Sequence, residues 1–197
     1  MKLYLNKASP YARLTMVVAH EKGLSARIEP VPIDPWASDE ALLEVTPLAK
    51  VPALIAEDGE PLVESACICD YLDSVGSGPT LLPRDPAARL STLRKYGLGR
   101  GLIDVAFGAV IEKRHASGSD GVLEQRWRAA VTRTISTLEN LETLATQPDL
   151  GDLAIAVALG YLDFRMREIE WRQEAPRLNA WFQQLRGRES LRRTAPD

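Results

Sequence analysis

Three short stretches in the first third of the chain carry residues that could do chemistry. "NKASPYARL" at 6–14 puts Ser9 and Tyr11 where an apolar run gives way to helical spacing. A serine at a helix start accepts from first-turn N–H groups, and Pro10 behind it has no N–H to leave unbonded. The same hydroxyl can donate to an anion held at the positive end of the helix dipole. "KVPAL" at 50–54 sets Val51 before Pro52. Such a valine is driven out of the helical region, and an X-Pro bond is the one kind that readily adopts cis. An edge-strand proline and a backbone turned toward a ligand both fit. "VES" at 63–65 ends one run and opens another, so that Ser65 reads as an N-cap. A bare cap, which needs no ligand, and a carboxylate-binding helix start both fit there.

Other reactive residue types form no constellation. His20 and His115 stand alone, and no Ser-His-Asp arrangement is needed to explain either. Cys67 and Cys69 lie two apart on a helical stretch, where side chains do not face each other, so neither a disulfide framework nor a zinc set is expected. With 197 residues, 45% hydrophobic, 26% charged and a net charge of -3, the chain has no general attraction to nucleic acid or to anionic membrane. The longest apolar run, "LAIAVALGYL" at 153–162, is about half a membrane span, and the N-terminus lacks a secretory pattern. A cytoplasmic protein without nucleic-acid or membrane partners is expected.

Proline placement indicates the elements that must hold the three stretches. Seven of the thirteen prolines fall in residues 1–61 and none lies between Pro86 and Pro148, so short strands come first and long helices after. "KLYLN" (2–6) reads as a strand, Pro10 to Lys22 as a helix closed by Gly23, and "RIEPVPI" (27–33) as a strand confined to a sheet edge by its prolines. Ala37 to Glu44 is a weak helix. "VPALIAE" (51–57) and "EPLVE" (60–64) flank a tight Asp58-Gly59 turn, and Ser65 to Ser74 is helical.

Residues 76–86 read as a linker. Beyond it Leu90, Leu93, Leu102, Val105 and Val110 suit a long helix softened or broken at Gly97, Gly99 and Gly101. "SGSDG" (117–121) turns the chain, and Leu123, Trp127, Ala130, Val131, Thr134, Leu138 and Leu141 form the next apolar stripe. The run at 153–162 is apolar on every side and belongs in the middle of a bundle. The order β-α-β-α-β-β-α implies a mixed four-stranded, thioredoxin-like domain over 1–75, then an all-helical domain over 87–197: α/β plus all-α.

"SPYARL", "TPLAKVPAL" (46–54), "VES" and "LLPRDP" (81–86), in this order, resemble the cytosolic glutathione S-transferase family over essentially the whole chain. "GYLDFR" (160–165) and "GRES" (187–190) are similar to its small bacterial members with Ser-Pro-aromatic at the first helix. The resemblance implies glutathione as co-substrate, a small hydrophobic electrophile and a homodimer. Ser9 would then stabilise the glutathione thiolate, with Tyr11 second and Tyr4 and Asn6 as further donors. Val51 would pair its backbone with the cysteinyl unit after a cis bond to Pro52, with Lys50 adjoining. Ser65 would hold the γ-glutamyl carboxylate and Glu64 the ammonium.

Arg100 stands where relatives tend to have an acidic residue, so any acidic contribution from a partner subunit would fall to Asp104. Ile103, Phe107, Val110 and Ile111 are candidates for the electrophile pocket, and "PDLGDLAIA" (148–156) resembles the family's capping box, with Asp149 as N-cap and Asp152 at N3. Serine at position 9 disfavours mixed-disulfide chemistry. Glutathione-dependent peroxidase, reductase or isomerase activity, or binding without turnover, are the alternatives.

Overall fold

The computed structural model describes residues 1–37, 39–115 and 121–196. They form two units, one of Met1–Leu82 together with the segment from Glu189 onward, the other of Pro83–Arg188. The turn expected at 117–121 falls almost wholly outside the described residues.

The first unit is built on a sheet of four strands, β1 (Lys2–Leu5), β2 (Glu29–Pro32), β3 (Ala53–Ile55) and β4 (Pro61–Val63), in the order β2-β1-β3-β4. β1 runs parallel to β2 and antiparallel to β3, and β3 antiparallel to β4. β2 is an edge, as Pro30 and Pro32 require, since neither can donate to a second neighbour. Helices α1 (Pro10–Glu21) and α3 (Ser65–Val75) pack together and bury Leu14, Val17, Val18, Ile68 and Leu72, while Leu3, Leu5 and Leu54 are buried from the sheet. The weak helix contracts to one turn, α2 (Glu40–Leu43), capped by the Asp39 carboxylate. The hairpin loop is longer than a two-residue turn. Ala56 N donates to Glu60 O across it, and only Gly59 takes a positive φ, of 89°.

The linker differs from its expected bounds. Lys22 Nζ pairs with Asp73 at 3.0 Å and donates to Pro79 O at 2.8 Å, and the Asp73 carboxylate accepts from Leu81 N and Leu82 N at 2.9 and 3.0 Å. Both ion-pair side chains are largely buried. Residues 76–82 are therefore fastened to the first unit. The C-terminal segment also departs from the expected 87–197 domain. Its helix α9 (Glu189–Arg193) packs on α1, with Leu191 buried.

The second unit holds α4 (Pro86–His115), α5 (Val122–Glu139), α6 (Leu150–Arg165), α7 (Trp171–Glu174) and α8 (Pro176–Leu185). α4 continues unbroken through its glycines, and α6 lies against it at Gly99. A Cβ on Gly99 would stand 2.6 Å from Ile155 N, and one on Gly151 2.5 Å from Lys95 Cβ. Glycine admits this close approach of two backbones. The buried stripe of α4 runs Thr92, Lys95, Gly99, Leu102, Ile103, Ala106 and Ala109. Leu90 and Leu93 lie off it, 49% and 42% exposed, and are not the core residues their spacing implied. Leu123 is likewise exposed, whereas Val131, Ile135 and Leu138 carry the buried face of α5. α6 is buried along most of its length, as an all-apolar helix should be.

Candidate functional site

Strand register collects the three chemically interesting stretches of the first unit at one end of its sheet. Tyr4 stands opposite Ala53, and Ala53 opposite Val63. Because β3 runs against β1 and β4 against β3, the exit of β1, the entry to β3 and the exit of β4 lie side by side. Neighbouring strands are about 4.8 Å apart, so the Asn6–Ser9 turn, Val51–Pro52 and Glu64–Ser65 issue from adjacent strand ends within roughly 10 Å.

Ser9 is the N-cap of α1. Its Oγ accepts from Ala12 N at 3.3 Å, and its own N–H donates to Asn6 O at 2.9 Å. A bond that long is a weak cap, and it leaves the hydroxyl hydrogen able to point elsewhere. Asn6 is committed to the turn: its Oδ1 accepts from Ala8 N at 2.9 Å and its Nδ2 donates to Ile33 O at 3.2 Å. Tyr11, half-buried, follows on the first turn of α1, and Tyr4 is half-buried on β1.

The Val51–Pro52 peptide bond is cis, with Pro52 buried and Val51 half-buried. Lys50 beside them is exposed, and Ala49 before it is left-handed at φ 50°.

At the third stretch the structure corrects the sequence reading. Ser65 is the first residue of α3 and Glu64 is the N-cap, with no side-chain bond to the helix start. Glu64 holds φ 69° and ψ 122°, a conformation that is costly for a residue with a Cβ. Its side chain is exposed, whereas Ser65 is 2% exposed and its Oγ has no hydrogen-bond partner among the described residues. A buried hydroxyl without a partner is destabilising by about 1–3 kcal/mol. First-turn N–H groups of a helix have no carbonyl ahead of them to bond. Strain, a buried unpartnered hydroxyl and an uncapped helix start thus coincide at adjacent residues.

The remaining candidates lie apart from this group. Asp104 is on α4, in the second unit, and pairs with Arg100 one turn earlier. Ile103 is fully buried in that unit's core, while Phe107, Val110 and Ile111 are half-buried. His20, near the end of α1, lies 2.8 Å from Ser25 Oγ through Nδ1. Burial, reinforced by Arg193, holds its imidazole below the ordinary histidine range. Among the described residues no three His, Cys, Asp or Glu side chains are grouped to hold a metal ion, and no helix is long and apolar enough to cross a membrane. Sequence reasoning missed the strain at Glu64, because the turn that imposes it is set by strand register.

A mixed sheet with such groups beyond one end, followed by a helical unit, defines a thioredoxin-like domain joined to an all-α domain. The N-terminal domain model of glutathione S-transferases matches residues 8–75 and the C-terminal domain model residues 121–184. The uncharacterized GST-like protein YibF of Escherichia coli is 32% identical, covering 100% of this chain and 98% of its own. A solved glutathione transferase family member from Pseudomonas fluorescens, with bound glutathione, is 35% identical at a TM-score of 0.92 over 100% of this chain and 98% of that one. A glutathione S-transferase from Methylobacillus flagellatus, also with glutathione bound, is 32% identical at a TM-score of 0.89, over 100% of this chain and 99% of that one. The chain belongs to the glutathione S-transferase family.

Proposed function

We propose that the protein is a cytoplasmic, homodimeric glutathione transferase that binds glutathione at the end of the first unit's sheet, ionises its thiol and conjugates it to a small hydrophobic electrophile. The observation that carries this reading is the buried, unpartnered Ser65 hydroxyl at an uncapped helix start beside the strained Glu64. That combination suits a carboxylate, which would accept from Ser65 Oγ and the first-turn N–H groups while the α3 dipole favours its charge. The exposed Glu64 carboxylate suits the ammonium of the same γ-glutamyl unit. Val51, at the strand entry, offers its backbone to the cysteinyl unit, Pro52 shapes that entry, and Lys50 supplies positive charge near the other carboxylate.

Ser9 then stands at the helix start nearest the sulfur. A thiol of pKa about 8.5 is only a few per cent ionised at neutral pH, and lowering it by roughly 2 units makes it mostly thiolate. Ser9 would donate to that thiolate, the α1 dipole adding to the effect, with Tyr11 the second donor. The nucleophile is the co-substrate's sulfur, which forms the new C–S bond as the electrophile's leaving group departs. An acidic contribution from a partner subunit, where one is made, would come from Asp104.

Retention on glutathione resin tests the reading. Wild type should be retained, and Glu64→Ala and Ser65→Ala should each weaken retention. Failure of wild type to bind, or indifference to both changes, overturns it. Thiolate absorbance of bound glutathione, lost in Ser9→Ala, separates catalysis from binding alone, and aryl-halide conjugation assayed beside peroxide reduction separates transferase from peroxidase.

A further inference from the structure

α1 is held from two sides. One row of its residues, Leu14, Val17 and Val18 among them, is buried toward α3, and Arg13, His20 and Glu21, with His20 and Glu21 about two turns beyond Arg13, share a different face. The C-terminal segment meets that second face. Arg13 Nη2 donates to Leu191 O at 3.2 Å, and Ser190 Oγ donates to the Glu21 carboxylate. Leu191 and Ser190 are 2% and 4% exposed, so the segment is embedded in the unit rather than trailing from it. The two bonds grip α1 about two turns apart, a spacing that resists both sliding and rotation. Arg13 N also donates to Ser9 O at 3.0 Å, which puts the first grip one turn from the serine. The 3.3 Å bond from Ala12 N to Ser9 Oγ is too long to fix the hydroxyl alone.

We propose that Glu189–Arg193 is a strap that sets the position of α1 and thereby aims Ser9, with Leu191, Ser190 and Arg13 as positioning residues for thiol ionisation. The inference rests on Ser9 acting as the thiolate's donor. Catalytic groups tolerate displacements of only about 0.5 Å, and a side chain delivered by a helix end is no better placed than the helix. A segment from the far end of the chain would thus tune chemistry at residue 9 without touching the ligand.

The test measures the pKa of bound glutathione's thiol, from thiolate absorbance against pH, in full-length wild type, Leu191→Ala, Ser190→Ala and Arg13→Met. Affinity is measured alongside at a pH where the thiol stays protonated, and hydrogen exchange is followed at the α1 amides. Leu191→Ala, which changes no charge, should raise the thiol pKa by about one unit, tenfold less thiolate at a given pH. Ser190→Ala should do the same to a smaller extent. Affinity should stay within about twofold, well under 1 kcal/mol, and the Ala12 and Arg13 amides should exchange faster.

An unmoved thiol pKa in Leu191→Ala overturns the proposal, and if that variant does not fold, Ser190→Ala decides by the same reading. A shift confined to Arg13→Met means that the guanidinium acts through its charge, which also overturns the strap. Failure of wild type to bind glutathione defeats the site reading and shows before any variant is compared. The strap is then judged by exchange alone, and unchanged α1 amides reject it.

Discussion

At the start of α6, Asp149 Oδ1 accepts from Asp152 N at 3.0 Å and Asp152 Oδ2 accepts from Asp149 N at 3.1 Å, whereas α3 opens on Glu64, whose side chain caps nothing, and on Ser65, whose buried hydroxyl has no partner among the described residues. Both helices begin with N–H groups that lack intrahelical acceptors. At α6 the answer is internal and redundant: Lys95 Nζ lies 2.8 Å from Asp149 and 2.7 Å from Asp152, and Thr92 Oγ1 donates to Asp149 at 2.7 Å. Lys95 and Asp152 are 4% and 0% exposed, so a partner missing there would leave charge or donors stranded in the core. At α3 the corresponding interactions are left unmade and the backbone is strained besides. The difference separates a helix start whose interactions are all made within the fold from one left strained and unpartnered, the place where the proposed function seats a carboxylate.

The largest effect should come from breaking the closed start. Asp152→Ala strips the buried Lys95 of one carboxylate and deprives Asp149 N and Ala145 N of their acceptor. A loss of about 3 kcal/mol is expected in urea unfolding, the scale for removing one partner of a buried charge. Ser65→Ala should do the opposite to stability and most of its harm to binding. Without a buried unpartnered hydroxyl the unliganded protein should hold or gain stability, while glutathione affinity falls about 10- to 100-fold, the range for a hydrogen bond to a charged group. If Ser65→Ala destabilises the unliganded protein as Asp152→Ala does, the two helix starts are alike and the contrast fails.

Acidity sharpens the comparison further. Burial pushes the Asp152 carboxyl up to about 6, the Asp149 charge adding to this and Lys95 opposing it. Burial raises Asp149 too, but its bonds from Lys95, Asp152 N and Thr92 outweigh that and hold it below the ordinary carboxylate range. One ammonium thus faces two carboxylates, Asp152 buried and Asp149 half-buried, and a proton on Asp152 makes the group neutral. A folded-state pKa above the unfolded value contributes stability that is full below the unfolded value and is lost as pH rises through the folded one. Relative to Asp152→Asn, which cannot ionise, wild type should lose stability between about pH 4 and pH 6 and run parallel to it above. Thermal melts of both proteins across that range check this, and parallel curves throughout would mean that Asp152 titrates alike in the folded and unfolded chain.

The sequence was most informative where residue type dictates conformation. Pro30 and Pro32 put β2 at an edge, and the all-apolar run at 153–162 lies in the core. Ser9 does cap α1. It was least informative where a position matters only through a distant partner. Lys95 in a helical stretch looks like a surface charge, and nothing near it shows that Asp149 and Asp152, more than fifty residues on, enclose it. Ser65 could be mistaken for the N-cap because serine favours that position, yet the cap falls one residue earlier, on the glutamate that leaves β4. The exposure of Leu90 and Leu93 and the return of α9 to the first unit are likewise decided by tertiary packing and not by local spacing.

The smallest expected effect isolates the strain itself. At φ 69° glycine is free of the Cβ clash that Glu64 bears, a strain of about 1–3 kcal/mol. Glycine also gives back about 0.5–1 kcal/mol through the entropy of the unfolded chain. Glu64→Gly should therefore be more stable than Glu64→Ala by about 1 kcal/mol, since alanine removes the carboxylate and keeps the clash. Both variants lose the charge proposed to face the ammonium, so retention on glutathione resin should fall alike in the two. Equal stability would mean that the turn from β4 into α3 relaxes when the glutamate side chain is removed, which places the strain in the side chain's surroundings and not in the backbone. A difference in stability with equal loss of retention would show strain and ligand contact to be separate properties of one residue, neither of which the start of α6 shares.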